Sequence, residues 1–119
     1  MAGTIAREIE AALGKDQEVS DELQSLMRKA RKASDFLKAL AHENRLVILC
    51  LLSERERSVT ELEGLLALSQ ATVSQQLARL RHEGLVAPRR DGRVIYYSLA
   101  DETTRLFIHA IYEKFCQER

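Results

Sequence analysis

Residues 58–99 read SVTELEGLLALSQATVSQQLARLRHEGLVAPRRDGRVIYYSL, and two patterns in this stretch decide the fold. Ser58 followed three residues later by Glu61 has the spacing of a capping box, whose hydroxyl and carboxylate satisfy N–H groups that a first helical turn leaves unpaired. A short helix starting there carries Leu62, Leu65 and Leu66 on one face. The Ala67-Leu68-Ser69 link leaves little chain before Ser69 caps a second helix, in which Val73, Leu77 and Leu80 recur at helical spacing until Gly84 stops it. Two short helices joined by so tight a turn make a helix-turn-helix.

The second pattern follows at once. Leu85 to Arg89 and Val94 to Leu99 are rich in β-forming residues, and the Asp91-Gly92 pair between them is a strong hairpin signal. The expected fold is therefore mainly α with a small β-hairpin wing, a winged helix-turn-helix. On the second helix, Val73, Leu77 and Leu80 turn to the core, which leaves Ala71, Thr72, Gln75, Arg79 and His82 around the opposite side. Any one of these alone reads as an ordinary solvated position. The wing changes the weighing, because Arg89, Arg90 and Arg93 flank its turn, and Ser69 to Tyr97 holds five Arg against Glu83 and Asp91. That local excess suits phosphate contact. The residues expected to bind double-stranded DNA are Gln70, Thr72, Ser74, Gln75 and Arg79 on the helix, and Arg89, Arg90 and Arg93 on the wing.

The stretch from Leu37 to Leu99 resembles the ArsR family of dimeric winged-helix repressors. The resemblance is carried by ALAHENRLVILCLL, then LSQATVSQQLARLRHEGLV, with its Ser74-Gln75-x-Leu77-x-x-Leu80 signature, then DGRVIYYSL. Many members carry His where Gln76 stands. The resemblance implies a homodimer that presents two such helices to operator DNA.

Composition bounds the rest. A chain of 119 residues, 45% hydrophobic and 30% charged, is one globular domain with a modest core that a partner subunit would help. No apolar run is long enough to span a membrane, and residues 1–16 lack the uninterrupted apolar segment of a secretion signal, so a cytoplasmic protein is expected. Lys plus Arg and Asp plus Glu both number 18. A net charge of zero is unusual for a nucleic-acid binder. Acidic residues gather at Glu8 to Glu22 and Glu54 to Glu63, which the sequence places away from the reading helix and wing.

Residues 1–18 are expected to form a partly ordered arm and residues 19–119 the DNA-binding and dimerisation domain. From Asp21, Leu23, Met27 and Ala30 trace a helical stripe opposite Arg28, Lys29, Arg31 and Lys32; by the family arrangement the stripe joins a dimer seam, and the basic run reads as a solvated face. Arg45 to Leu52 is apolar on every side and reads as the central buried helix, with Cys50 among aliphatics. After the wing, Ser98 or Asp101 caps a last helix whose apolar arc covers about 240°. A helix that apolar needs two surfaces, its own core and a partner.

No catalytic constellation is present: His42, His82 and His109 fall on three segments, and no phosphate loop or nucleophile elbow accompanies them. The chain reads as a non-enzyme without a cofactor. Many ArsR relatives bind metal through Cys-x-Cys on the first helix of the motif or Asp/His pairs on the last. Here Val59 to Leu62 hold no cysteine and the last helix offers only His109 and Glu113, so no metal ligand set is assigned, although two thiolates with an extra donor suit a soft ion. Cys50 and Cys116, in the central helix and near the end of the last, are the pattern of the sulfide-responsive branch of the family. That resemblance implies sensory thiols: reduced protein represses genes of sulfide oxidation, and reactive sulfur species link Cys50 to Cys116 and release the operator. The alternatives are a metal-responsive or a non-sensing repressor. Cys50 among aliphatics and Cys116 near a helix C-terminus are not strongly activated, and such thiols should resist mild peroxide.

Overall fold

The computed structural model describes residues 6–7 and 20–115. Residues 20–115 form five helices and three strands: α1 (Asp21–Leu40), α2 (Glu43–Glu54), β1 (Arg57–Ser58), α3 (Val59–Leu66), α4 (Gln70–His82), β2 (Val86–Asp91), β3 (Val94–Leu99) and α5 (Glu102–Phe115). Cys116 and, apart from Ala6 and Arg7, the arm expected over 1–18 lie outside the described residues. The chain divides into two compact units, 1–37 and 38–119.

In the first unit, α1 begins where Ser20 accepts the Leu23 N–H on its hydroxyl at 3.1 Å. Met27 is exposed on it, as are Arg28, Lys29, Arg31 and Lys32. In the second unit, every expected helix start has its cap. His42 Nδ1 accepts the Asn44 N–H ahead of α2, Ser58 accepts the Glu61 N–H at 3.0 Å ahead of α3, Ser69 accepts the Thr72 N–H at 3.1 Å ahead of α4, and Asp101 accepts the Thr104 N–H at 2.8 Å ahead of α5. Asp101, not Ser98, is the α5 cap, and its carboxyl is held below the ordinary range by that bond. Helix α4 ends in a Schellman motif: Gly84 takes a φ of 76°, its N–H reaches the Arg81 carbonyl, and the Leu85 N–H reaches that of Leu80.

The core is built from Ile48, Leu49 and Leu52 of α2, Leu62 of α3, Val73, Leu77 and Leu80 of α4, Leu85, Val86 and Leu99 of the sheet, and Ile108 of α5. Of the leucine stripe on α3, Leu62 is buried, Leu66 half-buried and Leu65 exposed. The strand order is β1-β3-β2, all antiparallel. Thus the wing is three-stranded rather than a bare hairpin, because Arg57 and Ser58 pair with Tyr97 and Tyr96 before Ser58 turns the chain into α3. The hairpin turn is also shifted by one residue. Asp91 pairs with Val94, so Gly92 and Arg93 form the loop, with Gly92 at φ 65°, and Arg93 occupies the tip. Pro88 is tolerated because β2 is an edge strand.

Between α3 and α4, Ala67 sits at φ 55° and ψ 42°, the left-handed conformation that a β-carbon disfavours. The tight turn of the helix-turn-helix therefore carries strain at a residue that is not glycine. Ala67→Gly should raise unfolding stability by about 1 kcal/mol, net of the extra chain entropy of glycine, as measured by urea denaturation. Unchanged or lower stability would mean that the turn relaxes without cost in alanine.

Candidate nucleic-acid interface and thiol site

Ser69, which caps α4, donates its hydroxyl proton to Thr72 Oγ1 at 3.0 Å, so Thr72 is oriented by the cap as well as lying at the start of the reading face. Gln70, Ser74, Gln75 and Arg79 are exposed along the same helix. Gln70, Ser74 and Arg93 line one cleft of about 230 Å³ between α3, α4 and the wing, together with Thr60, Glu63 and Tyr97. Arg89 and Arg90 both border a second recess beside Arg81, Pro88, Ile95 and Tyr97. Two elements distant in sequence thus meet at one polar edge.

The Arg89 guanidinium, however, has an acidic partner. Its Nε and a terminal nitrogen each donate to Glu56 at 2.8 Å, and its guanidinium carbon lies 4.7 Å from the centre of the Tyr96 ring. The pair holds the Glu56 carboxyl below and the Arg89 guanidinium above their ordinary values. The acidic run around Glu54 to Glu63 is therefore not remote from the wing. Pairing of β1 with β3 carries it to the sheet, where Glu56 meets Arg89 and Glu54 and Glu61 meet Arg57. The capping box at Ser58 is likewise half-formed as read. The hydroxyl caps, but the Glu61 carboxylate binds Arg57, which is the main reason its carboxyl is held below the ordinary range, and Arg55.

Gln76 is turned inward. Its amide oxygen accepts from Arg45 at 3.0 Å, while the same guanidinium donates to the carbonyls of Ala39 (2.5 Å) and Lys38 (3.3 Å) at the end of α1. Burial, and secondarily the charge of Arg79, holds Arg45 below its ordinary value. Sequence reading missed Arg45, Glu56 and Arg57. The only local hint was an arginine within an otherwise apolar helix.

Helix α2 is not enclosed on every side. Ile48, Leu49 and Leu52 are at most 1% exposed, but Val47 is 45% exposed, and Cys50 is half-buried. Cys50, Leu46, Val47, Leu51, Ile111 and Phe115 line a groove of about 830 Å³ between α2 and α5. Helix α5 buries Ile108 and leaves Leu106, Tyr112 and Phe115 exposed, so within the second unit the described residues leave apolar side chains of both helices uncovered. Among the described residues no group of three or more His, Cys, Asp or Glu is placed to hold a metal ion, and no helix is long and apolar enough to cross a membrane.

A helix-turn-helix whose second helix exposes polar side chains beside an arginine-tipped wing is the architecture of a DNA-binding regulator. Residues 42–87 match the family described as bacterial regulatory protein, arsR family. The chain is 41% identical over 95 residues to the transcriptional activator HlyU of Vibrio cholerae, covering 80% of this chain and 88% of that protein. It superposes on the structure of reduced HlyU from that organism with a TM-score of 0.74, over 80% of this chain and 100% of that one. It is also 42% identical over 94 residues to the biofilm growth-associated repressor of Agrobacterium fabrum, covering 79% and 80% of the two chains. The homodimeric winged helix-turn-helix DNA-binding domain Mb0332 of Mycobacterium bovis matches with a TM-score of 0.68 at 31% identity, over 82% and 86% of the chains. This chain belongs to the ArsR family, and it is a transcriptional regulator of the winged-helix type rather than an enzyme.

Gln76→Ala should cost about 1 kcal/mol of stability, the worth of one hydrogen bond to a charged donor in a half-exposed setting, with base preference unchanged in a competition assay. A relaxed preference at one base pair would place Gln76 on the DNA side instead.

Proposed function

We propose that the chain is a homodimeric, cytoplasmic repressor that binds operator DNA when its thiols are reduced and leaves it when Cys50 and Cys116 react with persulfides. The observation that carries the DNA reading is the shared edge at which Gln70 and Ser74 of α4 meet Arg93 of the wing. In this reading Thr72, Ser74 and Gln75 read bases, with Gln70 and Arg79 at the flanks of the same face, and Arg90 and Arg93 supply phosphate contact. Arg89, of the same basic cluster, is occupied by Glu56. Repression rather than activation follows the Agrobacterium fabrum relative, whereas the Vibrio cholerae relative is named an activator.

Dimerisation is supported by the apolar side chains that α5 leaves exposed, since a partner's surface would cover them, and by the homodimeric Mycobacterium bovis domain. The thiol reading is supported by the half-buried position of Cys50 in the groove between α2 and α5. Cys116 directly follows Phe115, which lines that groove. A reduced form of the Vibrio cholerae relative is among the structures that this chain resembles. A thiolate attacks the electrophilic outer sulfur of a persulfide and releases the parent thiol, and the second cysteine takes up sulfur from a second persulfide in the same way; the terminal sulfur of one cysteine persulfide then attacks the inner sulfur of the other, breaking its S–S bond, so that a trisulfide forms and hydrogen sulfide leaves. Inserted sulfur atoms tolerate separations too long for a plain disulfide, whose Cα atoms lie within about 7 Å. Such a bridge would tie the central helix to the dimer-forming helix and change the spacing of the two reading heads.

Two experiments test the two halves. Gln75→Ala should cost about 1–3 kcal/mol on the operator and relax preference at one base pair, while Arg93→Ala should weaken all duplexes alike and flatten the salt dependence; equal losses on operator and random DNA for Gln75→Ala would remove it from the reading set. Intact mass after organic persulfide, peroxide or a metal salt, with operator affinity on the same samples, should show sulfur linking Cys50 to Cys116 and weaker binding after persulfide alone. An undiminished response in Cys50→Ser or Cys116→Ser would sink the switch, and a response to metal alone would favour a metal-responsive repressor.

A further inference from the structure

Three wing arginines have the chemistry to meet phosphate, but their side chains are not equally placed. Successive residues of a strand point to opposite faces, so Arg89 and Arg90 face apart. Arg90 lies across from Ile95, on the face that with Tyr97 borders the clefts beside α3 and α4; Arg89 also lines the second of these clefts, but its Nε and a terminal nitrogen are turned to Glu56. Arg89 lies across from Tyr96 on the other face, and Tyr96 is also the register partner of Ser58 in β1. The Arg89 side chain is thus drawn over the middle strand toward the segment that carries Glu56, away from the Gly92-Arg93 loop. There both carboxylate oxygens take a guanidinium hydrogen bond, each at 2.8 Å, and the Tyr96 ring backs the guanidinium at 4.7 Å.

We infer that Glu56 limits the affinity of this regulator for DNA by holding Arg89 away from the duplex, as an internal stand-in for a phosphate. A bidentate carboxylate satisfies the same fork of N–H groups that a phosphate would take, so Arg89 serves one partner or the other. Tyr96 adds a cation–π contact to the Glu56-bound position. The pair is partly exposed, with the Arg89 side chain 55% and the Glu56 side chain 32% accessible. The energy at stake is accordingly modest, and the effect is an adjustment of affinity rather than an on–off switch. Because the withheld contact is to phosphate, it carries no sequence information, and Glu56 lowers binding to operator and random DNA by the same factor. The neutral overall charge of the chain fits this economy: an acidic residue is spent on one of the few arginines that the wing offers.

The inference rests on the reading that the wing meets DNA, and the test keeps the two apart. Fluorescence anisotropy of the full chain on operator and scrambled duplexes, between 50 and 200 mM salt, compares wild type with Glu56→Gln, Arg89→Gln, the double variant and Arg93→Ala. Glu56→Gln should steepen the slope of log affinity against log salt by about 0.9, which makes its affinity fall about 3.5-fold more than that of wild type across this range, on both duplexes alike. Arg89→Gln should keep the wild-type slope, and the double variant should return to it. The inference is overturned if Arg89→Gln alone flattens the slope, or if Glu56→Gln leaves it unchanged or flatter. Glu56→Ser, with thermal unfolding measured alongside, repeats the comparison with a different side chain. If Arg93→Ala fails to flatten the slope, the reading of the wing has failed; if it flattens the slope while Glu56→Gln does not steepen it, only the role of Glu56 has.

Discussion

The guanidinium of Arg57 is the constraint on which the arrangement of the reading head depends. Arg57 is 9% exposed, at the place where α2 ends, the sheet begins and α3 starts. Burying a guanidinium is unfavourable unless its donors find acceptors. Here they reach the Leu51 carbonyl (3.1 Å) and Glu54 (2.6 Å) at the C-terminal turn of α2, and Glu61 (2.8 Å) in the first turn of α3. The backbone of Arg57 meanwhile pairs with Tyr97 of β3. One side chain therefore joins a helix C-terminus, where positive charge is favoured, to the first helix of the helix-turn-helix and to the wing. Lysine has too few donors in too loose a geometry to replace it.

The same helix end has a second clasp. Arg105 of α5 donates to the Ser53 carbonyl, and the Ser53 hydroxyl donates to the Cys50 carbonyl at 2.6 Å. The last turn of the helix that carries Cys50 is in this way bonded to α5 on one side and to the reading head on the other. In the proposed thiol switch, a shift of the helix that bears Cys50 has to be felt elsewhere. Here the bonds made by Arg57 and Arg105 give any displacement of that turn partners on which to act.

Local physics was legible in the residues. Ser58, Ser69 and Asp101 cap helices because short side-chain acceptors satisfy the orphan N–H groups ahead of them, and Gly84 ends α4 because a left-handed residue closes the Schellman bonds. The buried set Val73, Leu77 and Leu80 follows from period alone. What sequence could not supply was pairing across distance. Strand β1 is two residues long and has no pattern of its own; it exists because Tyr96 and Tyr97, about 40 positions later, present an edge to it. Arg89 with Glu56 and Arg45 with Gln76 are likewise partners more than 30 positions apart, and each takes a side chain that composition alone would assign to solvent or DNA. The one-residue shift of the turn has the same origin, since register is set by which residues pair across the hairpin, here Asp91 with Val94.

The central claim is that two copies of α4 and its wing read DNA together. It is tested most directly by titrating the chain into duplexes that carry two copies of its half-site, selected from a random pool, with their centres either one full helical turn, about 34 Å, or one and a half turns apart. The account predicts that two chains bind the full-turn duplex as a unit and that the offset spacing, which puts the second half-site on the opposite side of the helix, weakens binding by at least an order of magnitude. Equal affinity for both spacings, or one chain bound at each half-site independently, would contradict it.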